Sequence, residues 1–275
     1  MQTRSVEYLL KSLEPYAKRV NDALNELMAE EKDSLFFNPL MKFMRGGKRV
    51  RPIILLLSHE ACGGKGNPEP AAVAIELIHT ASLIHDDLID GDVKRRGKNA
   101  FHVDNGEEMA ILAADFILAL VLRIASMYED RQVGEVLSWA SKRMAEGELL
   151  EVRLIREGKP IDLNDYLKVL ELKTATLFEA SSRLGAIIAG RRDLADSMAS
   201  YGRYLGLAYQ IKDDLLDWGR DRELSSLVRE GDLSSLSELA DNLIEKAFKG
   251  LDPLEDGEAK EKLREIAEFA VRRSF

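Results

Sequence analysis

Cysteine is almost missing from this chain of 275 residues, Cys62 being the only one. A single thiol excludes both a disulfide framework and a cysteine-based zinc site, and the expected address is the cytoplasm. Glutamine and asparagine are scarce as well, at three and eight residues beside 32% charged residues, a balance often met in heat-stable proteins. Period-two alternation bounded by hairpin turns is absent over any useful length, which argues against a β fold. No run of about 18 or more apolar residues suggests a membrane span. The N-terminal MQTRSVEYLLKSLEPYAKRV reads as an amphipathic helix with interspersed charge, not as a signal peptide. The chain is therefore expected not to be an integral membrane protein. Excess positive charge is lacking too: a net charge of −9 argues against a nucleic-acid partner, which calls for a basic face.

What is present is helical. Residues 107–128, EEMAILAADFILALVLRIASMY, are apolar nearly all round and predict a fully buried helix. Residues 132–157 and 194–218 carry apolar stripes at three- and four-residue spacing. Breakers at 61–70, 91–106, 157–162, 189–193, 219–235 and 250–257 divide the rest into about eight to ten helices. No low-complexity linker separates two halves, so residues 1–275 are read as a single all-α domain.

Two short acidic motifs carry the chemistry. The apolar helix AAVAIELIHTAS (71–82) runs into LIHDDLIDGD, so that Asp86, Asp87, Asp90 and Asp92 follow an interior-type sequence. Asp86 and Asp90 are four apart and share one helix face. Alone this DDxxD is a weak signal, because acidic helix ends are commonly solvated. The spacing recurs in YLGLAYQIKDDLLDWG as Asp213, Asp214 and Asp217, again closing an apolar helix. Six carboxylates facing one cavity would repel one another by roughly 4 kcal/mol per close pair at an effective dielectric near 20, and they call for divalent cations. All-oxygen ligands select hard Mg2+, which usually shares its remaining positions with substrate phosphates. Cations stand close by in the sequence: Lys48, Arg49 and Arg51 in GGKRVRP, Arg95 and Arg96 in RRG, and Lys173 with Thr174. Arginine suits bidentate phosphate contacts. Acid, base and acid together point to a diphosphate bridged by metal.

In these motifs the chain resembles the trans-isoprenyl diphosphate synthases, or polyprenyl synthetases, including geranylgeranyl diphosphate synthase-like members. GGKRVRP, IELIHTASLIHDDLID, RRG, the Lys173-Thr174-Ala175 triplet and LGLAYQIKDDLLD occur in that family's order over roughly residues 40 to 220. The resemblance implies a bundle of mostly antiparallel helices around a central cavity. It also implies head-to-tail condensation of isopentenyl diphosphate with an allylic diphosphate, usually by a homodimer. Asp86, Asp90 and Asp213 would hold Mg2+, with Asp87, Asp214 and Asp217 completing the acidic walls. Arg95, Lys173, Thr174 and Gln210 match positions contacting the allylic substrate, and Lys48, Arg51, His79 and Arg96 match the isopentenyl diphosphate site. The tail pocket is expected along Ile78, Ala81 and Ser82. Ala81 stands where many short-chain relatives carry a blocking aromatic, so a product of C20 or longer is expected, with a deeper floor around Phe116.

One stretch departs from the family pattern. The resemblance calls for two lysines after the second aspartate motif, but no lysine occurs between Lys212 and Lys246. Arg220, Arg222 and Arg229 are the local substitutes. Two alternatives follow: a subunit of a heteromeric synthase with weak activity alone, and a class I terpenoid synthase that ionises without condensing. The GGKRVRP motif and His79 count against the second. A ferritin-like di-metal bundle would need two Glu-x-x-His motifs, and only Glu76 with His79 provides one.

Overall fold

The computed structural model describes residues 6–216, 224, 228 and 233–272. The described chain is all-α. In order it forms α1 (Val6–Ala29), α2 (Phe37–Phe43), α3 (Val50–Ala61) and α4 (Glu69–Asp90). A two-residue hairpin, β1 (Lys94–Arg95) with β2 (Lys98–Asn99), follows. Then come α5 (Phe101–Asn105), α6 (Glu107–Ser126), α7 (Arg131–Glu157), α8 (Leu163–Leu170), a π-helical turn (Glu171–Ala175) and α9 (Thr176–Ile188). A 3-10 turn (Arg192–Leu194) leads into α10 (Ala195–Leu216), and α11 (Leu233–Leu251) and α12 (Glu258–Arg272) complete the bundle. Among the described residues there are more helices than the breakers predict: α5 is a short helix within the 91–106 breaker segment, and α2 is a short helix that no breaker sets apart.

The reasons for these boundaries are local. Asp162 caps α8 by accepting from the Asn164 and Asp165 amides, a contribution of about 1 kcal/mol. Gly91, at φ 70°, closes α4 in the left-handed conformation, which suits glycine best. That stop fixes Asp86, Asp87 and Asp90 in the last turn of α4. Asp213 and Asp214 lie near the described end of α10. A helix C-terminus carries partial negative charge, so the end of α4 is unfavourable for carboxylates and depends on partners from other elements.

The principal contacts run α10 on α11 and α9, α3 on α9, and α4 on α6. One cluster of buried apolar side chains extends from Leu9 of α1 to Ala270 of α12. Helix α3 contributes Ile53 through Leu57, and α4 contributes Ala71 through Ile75 with Leu77 and Ile78.

Helix α6 corrects the expectation of full burial. It is long and apolar enough to cross a membrane, with a mean hydropathy of 2.1, although Asp115 interrupts its apolar run. It is also not fully buried. Ala110, Ala113, Ala114, Ile117, Leu120, Val121 and Ile124 are buried, whereas Ile111, Leu112, Leu118 and Leu122 are 52%, 53%, 47% and 64% exposed. Composition places apolar residues all round this helix, but only one side of it meets α4, α5 and α7.

Candidate active site

At the end of α4, Asp86 and Asp90 face the π-helical turn that carries Lys173. The Lys173 ammonium lies 3.8 Å from Asp86 Oδ2 and 2.7 Å from Glu148 Oε2, and it donates to Glu151 Oε2. Glu148 and Glu151 stand three apart on α7, on one face. Four carboxylates thus surround one lysine. Burial pushes the Asp86 carboxyl up to about 8; Lys173 opposes this and Glu148 adds to it. Asp90 and Glu151 are also raised, chiefly by burial. Burial alone would favour neutral Lys173, but Glu151, Asp86 and Glu148 outweigh it and hold the ammonium protonated. A π-turn is often found at functional sites. Here Gly147 of α7 makes it possible: a Cβ at that position would lie 2.6 Å from the Lys173 amide nitrogen and 2.7 Å from Leu172 Cβ.

Asp87 points elsewhere. It is fully buried and accepts from Arg95 Nε at 2.5 Å. Burial raises its carboxyl while Arg95 holds it back.

The second motif is built differently. Asp214 accepts from the Tyr166 hydroxyl at 2.6 Å and from Gln210 Nε2 at 2.7 Å, and Gln210 Oε1 accepts from Thr174 Oγ1 at 3.1 Å. Thr174, Gln210 and Asp214 therefore form one relay from the π-turn to α10. Burial lowers Arg51 from the usual guanidinium range, and Tyr209, Glu76 and Asp213 oppose that shift. Asp217, Arg220, Arg222 and Arg229 lie outside the described residues. Among those described, no three His, Cys, Asp or Glu side chains are close enough together to hold a metal ion. Asp87 is engaged with Arg95, and Asp214 with Tyr166 and Gln210. The donor set still fits Mg2+: the Asp86 side is all carboxylate oxygen, and one lysine does not balance its four acids.

The isopentenyl diphosphate candidates divide. Arg51 Nη1 lies 3.2 Å from His79 Nε2, and the Arg51 guanidinium lies 4.8 Å over the Phe178 ring. Burial, then Arg51, Arg96, Arg95 and Arg49, hold His79 well below the usual imidazole range. These groups form one cationic corner around a neutral imidazole. Lys48 is exposed and lines a separate apolar cavity of about 640 Å3 with Tyr209 and Phe269. Arg49 is buried against Glu76.

A cavity of about 520 Å3 opens beside Asp86 and Lys173 and runs between α4, α6 and α7. Ile78, Ala81 and Ser82 all line it, together with Ile117, Val121 and Met144. Phe116 does not; it stacks on Phe36 with centroids 4.7 Å apart. The expected floor at Phe116 is thus corrected, because that side chain faces α2 and the segment before it. Sequence reading also missed Glu148, Glu151 and Tyr166. The EGELLE stretch (146–151) carries Glu148 and Glu151 at helical spacing beside apolar residues, which is the signal that identifies those two.

The profile of the polyprenyl synthetase family matches residues 33–234. A geranylgeranyl diphosphate synthase of Methanosarcina mazei is 35% identical over 274 residues, covering 96% of this chain and 83% of that protein. An octaprenyl diphosphate synthase of Escherichia coli is 39% identical over 180 residues, covering 65% of this chain and 55% of that one. Among solved structures, a geranylgeranyl pyrophosphate synthetase from Pyrococcus horikoshii superposes with a TM-score of 0.86 at 29% identity, covering 98% of this chain and 99% of that one.

Proposed function

From the premise that the chain belongs to the polyprenyl synthetase family and is an enzyme of the trans-prenyltransferase class, we propose that it condenses isopentenyl diphosphate head-to-tail with an allylic diphosphate, making an all-trans product of C20 or longer. The observation carrying this reading is the open cavity beside Asp86 and Lys173, with Ala81 in its wall. Asp86, Asp90 and Asp213 are the residues that would hold Mg2+, which when bound stabilises the departing diphosphate. Lys173 and Arg95 are the cations beside the first aspartates that would turn to that diphosphate from their present carboxylate partners. The Thr174 and Gln210 oxygens turn dipoles toward the allylic cation, and the apolar walls of the cavity keep competing water away from it. Arg51, Arg96 and His79 seat the isopentenyl diphosphate. The isopentenyl double bond attacks the allylic carbon, and the released diphosphate takes the proton that is lost. Each methylene added to the tail gains about 0.8 kcal/mol on burial, so an unobstructed cavity favours longer chains.

The same reading takes the chain as one domain and a cytoplasmic homodimer. The exposed Ile111, Leu112, Leu118 and Leu122 on α6, with Leu149 on α7, form the face suited to a second copy. Incubation with Mg2+, labelled isopentenyl diphosphate and C5, C10 or C15 allylic primers, followed by sizing of the products, tests the reaction. Products of C20 or longer are expected. No elongation from any primer would overturn the reading.

A further inference from the structure

We propose that Arg49 and Glu76 are positioning residues for the isopentenyl diphosphate site: their buried ion pair ties the glycine turn to α4 and so sets Arg51 against His79. This rests on the functional reading given above for Arg51 and His79. Arg49 lies inside a cationic motif, yet its side chain is only 6% exposed and that of Glu76 only 7%. All three guanidinium nitrogens are bonded. Nε donates to Asn21 Oδ1 at 2.9 Å, Nη1 to Glu76 Oε1 at 2.5 Å and Nη2 to the Met44 carbonyl at 2.7 Å. One side chain thereby joins α1, the turn before α3, and α4.

The backbone points the same way. Arg49 has φ 54°, a left-handed conformation that arginine adopts only when its surroundings require it. Gly47 supplies the space. A Cβ there would lie 2.8 Å from Arg49 Nη1 and 3.4 Å from Glu76 Oε1, because the guanidinium folds back over the glycine. Held by three bonds, that guanidinium cannot move aside without releasing a partner. The second glycine of the motif is thus required by the ion pair.

The consequence reaches the substrate site through two short links. Arg51 follows Arg49 by two residues, and His79 follows Glu76 by three, about one helical turn. The Arg49–Glu76 pair and the Arg51–His79 contact therefore bridge the same two segments side by side. Burial lowers Arg51 from the usual guanidinium range, and Glu76, after Tyr209, opposes that shift. Loosening the pair should displace Arg51 while leaving Lys173, Thr174 and the aspartates in place.

The test is steady-state kinetics on Glu76→Gln, Gly47→Ala, Arg49→Lys and Asn21→Ala, varying each substrate separately at saturating Mg2+, with melting temperature measured in parallel. Lysine keeps the charge but cannot span three partners. In the first three variants the KM for isopentenyl diphosphate should rise about 10-fold, the effect of one charge-assisted contact. Asn21→Ala should raise it about 3-fold, in keeping with loss of a single neutral hydrogen bond. The KM for the allylic substrate should change by less than about 2-fold, a shift too small to represent a lost contact. A drop in melting temperature with both KM values moving together, or with neither moving, overturns the proposal. Should the buried variants fail to fold, Asn21→Ala decides: a selective rise supports the clamp and its absence refutes it. Wild-type protein that does not consume isopentenyl diphosphate would overturn the functional reading and this inference with it. Wild-type turnover without the split overturns this inference alone.

Discussion

The ends of α4 and α10 carry the same five-letter acidic spacing and solve the resulting charge problem differently. At the end of α4, Asp86 and Asp87 meet cations: Lys173 lies beside Asp86, and Arg95 bonds the buried Asp87. At the end of α10, Asp214 accepts from Tyr166 and Gln210, and Asp213 acts on the Arg51 guanidinium. A shared motif therefore fixes the residue types but not their surroundings. The first end is an ionic network with surplus acid. The second is tied through Gln210 to Thr174 in the π-turn, so it reports on the geometry of that turn.

The largest expected effect treats the two ends alike. Asp86→Asn and Asp213→Asn should each lower turnover at least about 1,000-fold with the fold retained, as loss of a metal ligand at a charge-stabilising centre implies. Near-wild-type turnover in both would refute the metal reading. Thermal stability should then separate them. The Asp86 carboxyl is held up to about 8 in the fold, against about 3.9 in an unfolded chain. Its ionisation therefore weakens the metal-free protein progressively as pH rises through that window. Asp86→Asn should melt higher than wild type at pH 8 without Mg2+, and a lower melting point would show that the charge is well compensated.

The next effect tests the comparison at the buried members. Asp87→Asn removes a charge-assisted bond to Arg95 and should lower Tm by about 3–6 °C. The gain from no longer burying a charge keeps the figure moderate. Asp214→Asn still offers an oxygen to Tyr166 and should cost no more than about 2 °C. Equal losses would mean that the two ends are electrostatically alike after all.

Product length comes third. Ala81→Phe places a ring in the cavity lined by Ile78, Ser82 and Met144, and chromatography should show products shorter by at least one five-carbon unit. Unchanged products would mean that the tail runs elsewhere.

The smallest effect concerns His79, kept neutral by burial among four arginines. Because its folded pKa is depressed, the stability linked to its neutral form is lost as pH falls below about 6.5. The difference in Tm between wild type and His79→Gln should shrink or reverse from pH 7.5 to 5. A constant difference would show that His79 does not titrate between these states. Taking the difference cancels the opposite trend from Asp86 and Asp90.

Much of this was readable from the chain. Helical periodicity gave the long helices, because burial of one face imposes a 3.6-residue repeat. Gly91 and the basic RRG stretch marked where the first aspartates must end and what would answer them. The lining residues Ile78, Ala81 and Ser82 followed from the family resemblance, which places the tail along α4, together with helix geometry, which sets the positions that share a face. Residue identity could not show which of several nearby cations is consumed internally. Arg49 and Arg51 are two apart in one motif, yet Glu76 claims the first and His79 faces the second. Nor could it show that Glu148 and Glu151 surround Lys173, that Phe116 turns to Phe36, or that half of α6 stays exposed. Those outcomes depend on which helix packs beside which, and at what distance. Charge pairing and burial act through space, over contacts that join residues tens of positions apart.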